Sequence, residues 1–369
     1  MTRMDFAPHT SPAAISELRA RLLATRWPPA GTGIDPDPDW SLGTDPAYLR
    51  ELTAYWADGF DWEAREAELN RLPRSFVEVG GTGIHVIHSI ADREGQAPAL
   101  LLLHGWPDSF WRYLKVLPLL APDFDVVIPD MPGFSYSDIP ESPLNSQQVA
   151  ALYAELMTKL GYERFFAAGG DIGSHVARYL ALDAPERVIA MHTMGTLPAP
   201  VADATTLTPE EQQWLRTSQA WVGTEGAYAA MHRTKPNTAA IGLTDSPAGL
   251  AAWIVEKLRT WSEGGLASYS LDDVLTNLSI YWFTGTIGSS MRMYRANAQL
   301  PLEDLGRRVE VPTGFSVFPG DISQVPYAWA ERVTKLARFT EPAQGGHFAP
   351  YEVPELYAQE LRDFFGLFL

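Results

Sequence analysis

The chain has 369 residues, of which 46% are hydrophobic and 20% charged, enough for one large domain with a full core and an insertion. Its formal net charge of −17 argues against nucleic acid and anionic membrane surfaces as partners, because both would repel it. The absence of cysteine excludes disulfides, thiolate metal sites and cysteine nucleophiles.

The first 72 residues carry two amphipathic helical patterns joined by a segment rich in proline and glycine (residues 28–38). Ser11 and Pro12 predict the start of the first helix, as its N-cap and first helical residue, and the second pattern covers residues 48–56. These patterns are too poor in apolar positions for a separate core, so residues 1–72 are expected to wrap the main domain. Neither a signal peptide nor an apolar run of about 20 residues is visible, so we expect a cytoplasmic protein without a membrane span.

From residue 76 the pattern changes to strands. Residues 76–79 and 83–88 alternate as in an antiparallel hairpin. Short apolar runs separated by helical patterns then predict buried parallel strands at residues 99–103, 126–128, 165–168, 188–191 and 314–318. The sequence therefore predicts an α/β fold with a mostly parallel, doubly wound sheet (residues 73–198 and 301–369) and an inserted helical cap rich in Trp and Tyr (residues 199–300).

Residues 165–178 are interpreted as a strand, a sharp turn and a helix, with Asp171 at the apex. Gly169 and Gly173 stand where a strained strand-to-helix turn leaves no room for side chains, so the apex carboxylate would be exposed. Taken alone, the segment is equally compatible with an ordinary loop in which Asp171 caps the following helix.

Three further loops follow predicted strands, and catalytic groups of an open sheet gather at the carboxyl ends of its strands. They are residues 104–110, 319–321 and 344–350. Backbone N–H groups of the first loop could join that of Ile172 to bind an oxyanion. The order Asp171, Asp321, His347 matches the nucleophile, acid and histidine of the α/β hydrolases, whereas a serine esterase is disfavoured because no Gly-x-Ser-x-Gly motif occurs.

Other residues favour structural roles. His104 directly precedes the proposed oxyanion turn and is expected to structure its loop, and His175 is expected to pack or hydrogen-bond on the helix after the turn. Spacing alone favours core packing for Tyr228 and Tyr294, because this part of the chain is rich in aromatic residues.

Motifs in both the sheet and the cap resemble the microsomal-type epoxide hydrolases of the α/β-hydrolase superfamily. They are His-Gly-Trp-Pro, Gly-Gly-Asp-Ile-Gly-Ser, Thr-Lys-Pro with Asp-Ser-Pro, Tyr-Trp, and Ser-Ser-Met-Arg-Met-Tyr, at residues 104–107, 169–174, 234–236, 245–247, 281–282 and 289–294. The resemblance covers nearly the whole chain, including the N-terminal segment, which wraps the hydrolase domain in that family.

The resemblance implies an enzyme that adds water to a small-molecule epoxide to give a vicinal diol. By position, Asp171 would be the nucleophile, His347 the base and Asp321 its orienting acid, while Tyr228 and Tyr294 would be acids of the cap. The backbone N–H groups of Trp106 and Ile172 would form the oxyanion hole. No metal or organic cofactor is expected, since the sequence has no His-Glu-x-x-His motif and no P-loop. Relatives are often dimers, which leaves a homodimer as one option.

Two other functions remain open. Haloalkane dehalogenases share the Asp nucleophile but typically place a halide-binding Trp directly after it, where this chain has Ile172. Many epoxide hydrolases of the family also have Trp there, so the pocket floor is expected to differ in shape. A non-catalytic binding protein of the hydrolase fold is disfavoured because Asp171, Asp321 and His347 are retained together.

Overall fold

The structure is a computed structural model that describes residues 3–29, 40–195, 197 and 204–369. Within these ranges the strands are β1 (Arg3–Asp5), β2 (Arg74–Val79), β3 (Thr82–Ser89), β4 (Ala99–Leu103), β5 (Asp125–Pro129), β6 (Phe165–Gly169), β7 (Val188–Thr193), β8 (Val309–Ser316) and β9 (Thr334–Thr340). They form one sheet in the order β1-β2-β3-β5-β4-β6-β7-β8-β9.

The α-helices of the described ranges precede, separate and follow these strands. They are α1 (Pro12–Leu23), α2 (Pro46–Asp58), α3 (Trp62–Leu69), α4 (Leu117–Leu120), α5 (Ser146–Lys159), α6 (Ile172–Asp183), α7 (Pro209–Glu225), α8 (Ala227–Thr234), α9 (Pro236–Asp245), α10 (Pro247–Thr260), α11 (Leu271–Thr284), α12 (Ile287–Asn297), α13 (Leu302–Leu305), α14 (Tyr327–Val333), α15 (Ala349–Glu352) and α16 (Pro354–Phe365). None of these helices has both the length and the apolar composition needed to cross a membrane.

The sheet is antiparallel at one edge and parallel elsewhere. β1, β2, β3 and β5 pair antiparallel, and every pair from β5 to β9 along the sheet is parallel. Every residue of β4, β5 and β6 is buried, as expected for continuous apolar runs in the middle of a sheet. The mostly parallel α/β sheet predicted from the sequence is confirmed, although the last predicted run ends at Ser316 and begins earlier, at Val309.

The strand order reverses at β4, which lies between the two strands that follow it in the chain, β5 and β6. In open parallel sheets a crevice forms at such a point, outside the carboxyl ends of the strands. Leu103 at the end of β4 is the register partner of Gly169 at the end of β6. The loop after β4 and the turn after β6 therefore meet at one place.

The N-terminal segment contributes both a strand and helices. The Ser11 side chain caps α1 by accepting a hydrogen bond from the Ala14 N–H, as predicted. α1 and α2 pack on α10, and the Trp56 indole N–H donates to the Ser279 hydroxyl at 3.0 Å. The N-terminal segment is thus attached to helices α10 and α11, which come much later in the chain. Most of the predicted proline-rich meander lies outside the described residues.

Helices α7 to α12 stand between β7 and β8 and are called the helical insertion (residues 209–297). Asn277 donates to the Pro107 carbonyl at 2.9 Å, and Trp214 donates to the Ser323 hydroxyl at 3.1 Å. These contacts fix the insertion over the loops at the carboxyl ends of β4 and β8. The predicted start of the cap, at residue 199, falls outside the described residues.

Candidate active site

The turn between β6 and α6 holds Asp171 in a strained conformation, with φ of 51° and ψ of −131°. A positive φ is unfavourable for a residue with a side chain, so the surrounding packing must maintain it. A Cβ at Gly173 would collide with the carbonyl groups of Leu103 and His104, which explains the glycine there. Asp171 occupies the N-cap position of α6, but its side chain makes no capping hydrogen bond. The interpretation of Asp171 as a mere helix cap is therefore wrong.

Backbone donors hold the Asp171 carboxylate. Its Oδ1 accepts a hydrogen bond from the Trp106 N–H at 2.8 Å, and the Ile172 N–H also bonds to the carboxylate. The loop carrying Trp106 is itself braced, because the Asp108 carboxylate accepts from the Gly105 N–H at 2.9 Å. The two predicted oxyanion-hole donors thus converge on a single carboxylate.

His104 supports this loop through both of its ring nitrogens. Its Nε2 accepts from the Met131 N–H at 2.9 Å, and its Nδ1 lies 3.0 Å from the Gly105 carbonyl oxygen. The ring is fully buried. The predicted structural role of His104 is confirmed.

The loop after β9 brings His347 between two carboxylates. Its Nδ1 lies 2.7 Å from Asp321 Oδ1, and its Nε2 lies 3.5 Å from Asp171 Oδ2, an ion-pair distance longer than a hydrogen bond. The His347 N–H donates to the Trp261 carbonyl at 2.8 Å, and Arg112 donates to the His347 carbonyl at 2.8 Å. The histidine is therefore fixed through its backbone as well as its ring.

The same loop has a further link to the end of α10. The Gly345 N–H donates a hydrogen bond to the Glu263 carboxylate. Glu263 follows α10 directly after Trp261 and Ser262. Two residues just beyond this helix thus hold the backbone on which His347 stands.

Mutual attraction shifts the pKa values of the central pair in opposite directions. Burial alone would raise the pKa of Asp171, but the His347 ring and the Trp106 and Ile172 N–H groups outweigh burial and lower the pKa to about 2. Burial alone would lower the pKa of His347, but Asp321 and Asp171 raise it to about 9. At neutral pH the pair is therefore a carboxylate and an imidazolium.

The helical insertion supplies two phenols above this pair. Tyr228 on α8 and Tyr294 on α12 have ring centroids 6.0 Å apart, and the Trp106 ring stacks on Tyr228 at 5.3 Å. The Tyr294 hydroxyl oxygen is buried and has no hydrogen-bond partner in the described structure. Burial and the Asp171 charge raise the pKa of both phenols well above 10. Both groups therefore stay protonated at neutral pH.

All five side chains with predicted chemistry line one cavity of about 390 Å³, as does Ile172. The structure thus brings Asp171, Asp321, His347, Tyr228 and Tyr294 together, with the Trp106 amide against the Asp171 carboxylate. Within the described ranges, no group of three or more His, Cys, Asp or Glu side chains is arranged to hold a metal ion.

Sequence reasoning did not place four polar residues in the cavity wall: His175, Arg233, Asn297 and Ser323. His175, which was expected to pack or hydrogen-bond on its helix, makes no hydrogen bond within the described structure and lines the cavity. Helical spacing could have placed two of these residues, His175 and Asn297, in the site. His175 lies four residues after Asp171, and Asn297 lies three residues after Tyr294, so each shares a helix face with a candidate catalytic residue.

Comparison with known proteins identifies the family. Residues 4–113 match the family described as Epoxide hydrolase N terminus, and residues 98–232 match the alpha/beta hydrolase fold. Epoxide hydrolase 1 of Sus scrofa is 32% identical over 407 residues, covering 98% of this chain and 88% of the pig protein. The chain belongs to the epoxide hydrolase family.

Solved structures agree with this assignment. Juvenile hormone epoxide hydrolase from the silkworm Bombyx mori superposes with a TM-score of 0.91 at 28% identity, covering 100% of this chain and 95% of that one. Aspergillus niger epoxide hydrolase gives a TM-score of 0.90 at 28% identity, with coverage of 100% and 97%. The chain is an enzyme that hydrolyses epoxides on an α/β-hydrolase fold, and the resemblance noted in its sequence is confirmed.

Proposed function

We propose that this epoxide hydrolase forms vicinal diols in two steps, through an ester on Asp171, with the helical insertion acting as a cap. The proposal rests on one observation: the two oxygens of the Asp171 carboxylate have different neighbours. Asp171 Oδ1 accepts from the Trp106 N–H at 2.8 Å, whereas Oδ2 faces His347 Nε2 at 3.5 Å. Oδ2 is thus the oxygen that attacks, and Oδ1 stays bound by the Trp106 N–H.

In the first step, Asp171 Oδ2 forms a bond to one epoxide carbon while the bond from that carbon to the epoxide oxygen breaks. The oxygen leaves as an alkoxide and takes a proton from Tyr228 or Tyr294. The unpartnered Tyr294 hydroxyl supports this role, because a buried donor without an acceptor favours a ligand oxygen. The pKa of about 2 keeps Asp171 ionised at neutral pH.

Ester formation removes the negative charge of Asp171 and so prepares the second step. One of the interactions that raise the pKa of His347 is lost, and the imidazolium can return a proton to the phenolate through solvent. The neutral ring that results is a base. Asp321 keeps its hydrogen bond to Nδ1 and orients Nε2 toward water.

In the second step, His347 takes a proton from water as the water oxygen bonds to the Asp171 Cγ. The negative charge develops on Oδ1, to which the Trp106 N–H already donates, and the Ile172 N–H beside the carboxylate is the second donor. Each such donor contributes about 3 kcal/mol in comparable sites. The Cγ–Oδ2 bond then breaks, and the diol leaves with Oδ2 and a proton from His347.

The alternative function, a haloalkane dehalogenase, has weaker support. Halide release would need donors in place of a proton source, and the Ile172 side chain offers no N–H group. Two phenols above the nucleophile instead suit an alkoxide, which must gain a proton.

The test is to trap the ester with His347→Gln and styrene oxide. The variant should still alkylate Asp171 but lack the base that hydrolyses the ester, so intact-protein mass should rise by the full mass of the epoxide. Peptide mapping should place the adduct on Asp171, and Asp171→Asn should show none. An adduct on another residue, or no adduct while the wild type turns over the same epoxide, would refute the proposed roles.

A further inference from the structure

Two of the polar side chains of the active-site cavity that the proposed steps do not use lie at neighbouring helix ends. Arg233 stands in the last turn of α8, and Asn297 is the last residue of α12. Arg295 donates to the Thr234 carbonyl at 3.3 Å, so the ends of these two helices lie side by side. The two unused groups therefore belong to one region of the cavity wall.

Arg233 is a cation without a partner. Its side chain is exposed, and it makes no hydrogen bond, ion pair or ring contact with the described residues. Other than Asp171, Asp321 and His347, it is the one charged side chain that lines the described wall.

Asn297 adds a second donor to this region. Its Oδ1 accepts from the Ser146 N–H at 2.7 Å, which identifies the oxygen and leaves the amide nitrogen as the free end. No hydrogen bond of that nitrogen exists within the described structure. The Arg233 guanidinium and the Asn297 amide nitrogen are thus both hydrogen-bond donors, and neither has an acceptor within the described structure.

Several other side chains of this wall are apolar and cannot pair with either donor. It includes Ala298, Leu300, Leu305 and Ile322. His175, on the side of α6, does not add a charge, because burial lowers its pKa below 6.5 and keeps the ring neutral. A ligand that fits this surface needs an apolar arm and an anionic, hydrogen-bond-accepting group.

We propose that this enzyme acts on epoxides that carry a carboxylate at the end of an apolar arm, with Arg233 and Asn297 binding the carboxylate. This inference rests on the proposed function, because the epoxide must reach Asp171 while the carboxylate meets Arg233. A planar guanidinium matches a carboxylate with two parallel hydrogen bonds. The apolar arm lies against the leucine and isoleucine side chains of the wall.

The test compares terminal epoxyalkanoates of six, eight and ten carbons with their primary amides. The wild type should favour the carboxylate over the amide by about fivefold in kcat/KM, the scale of a partly exposed ion pair. The preference should appear mainly in KM, peak at one chain length and shrink with added salt. In Arg233→Gln the ratio of carboxylate to amide should fall to about one. Arg216→Gln removes an exposed arginine of α7 that does not line the cavity, and it should keep the wild-type ratio.

The outcomes separate this inference from the proposed function. Turnover of the amides and of styrene oxide without any preference for carboxylates would overturn the inference alone. A preference that survives in Arg233→Gln would overturn the role of Arg233. If the wild type turns over none of these epoxides, the proposed function itself fails.

Discussion

Neutralising Asp171 should shift the titration of His347, and this shift tests the link between the two chemical steps. Asp171→Asn replaces the carboxylate by an amide of similar size, which is uncharged like the ester intermediate. In the wild type, burial lowers the pKa of His347, but Asp321 and Asp171 together raise it from 6.5 to about 9. A rise of this size corresponds to about 3 kcal/mol in favour of the imidazolium.

With Asp171 neutral, Asp321 alone opposes burial, so the pKa of His347 should fall below about 9. At neutral pH the wild-type ring is protonated before ester formation, and ester formation makes it easier for the ring to lose this proton. The pKa of His347 is raised and that of Asp171 is lowered, so the ion pair stabilises the wild-type fold fully between pH 3.8 and pH 6.5. This contribution is lost as the pH rises through about 9 and as it falls through about 2.

The assay is an NMR titration of protein labelled at the histidine Cε1 position. The His347→Gln variant identifies the His347 signal, and intact mass confirms that the amide introduced by Asp171→Asn has not been hydrolysed. His192 and His232 provide internal references, because burial lowers the pKa of each to about 3 and they should stay neutral throughout. A wild-type His347 that titrates at or below 6.5, or a value near 9 in Asp171→Asn, would refute the reasoning.

Four further outcomes are expected. Replacing Tyr228 or Tyr294 by Phe should slow ester formation by about a hundredfold in stopped-flow traces, and replacing both should abolish it, so normal turnover in the double variant would exclude them as proton donors. In a single turnover in ¹⁸O-water, the label should enter Asp171 and not the diol; labelled diol would mean direct attack by water. Dialysis against a chelator should leave diol formation unchanged, and activity restored only by a divalent ion would contradict the mechanism. Gly173→Ala should lower the free energy of unfolding by about 1 to 3 kcal/mol in denaturant titrations, because its Cβ meets backbone carbonyl groups; Gly242→Ala, where a Cβ has open space inside α9, is the matched control and should not destabilise.

The features predicted best are those encoded in short stretches of sequence. The β6 turn was predicted because Gly169, Asp171 and Gly173 are close in the chain and the strain they create is local. The parallel strands were predicted because each is a buried apolar run. In contrast, β1 has three residues, too few for an alternating pattern, and it is defined by its backbone pairing with β2.

The parts of the site that spacing alone did not reveal depend on contacts between distant segments. Tyr228 and Tyr294 were indicated only by the family resemblance, because they lie on separate helices and their position beside Asp171 depends on how α8 packs on α12. Arg233 has no local pattern that distinguishes it from any exposed arginine. Its proposed role can be inferred only from the structure, in which it lines the cavity and has no partner among the described residues.

The attachment of His347 to the residues after α10 has a consequence for changing what the enzyme accepts. Trp261 and Glu263 hold the backbone around the base, whereas the cavity wall near Arg233 is built by α8, the end of α12 and the segment that follows it. Substitutions at Ala298 or Leu300 can therefore change the shape of the substrate cavity without moving His347. Mutant libraries for new substrates should therefore vary the residues around Ala298 and Leu300. They should leave Trp261 and Glu263 unchanged, because a substitution there would displace the backbone of His347.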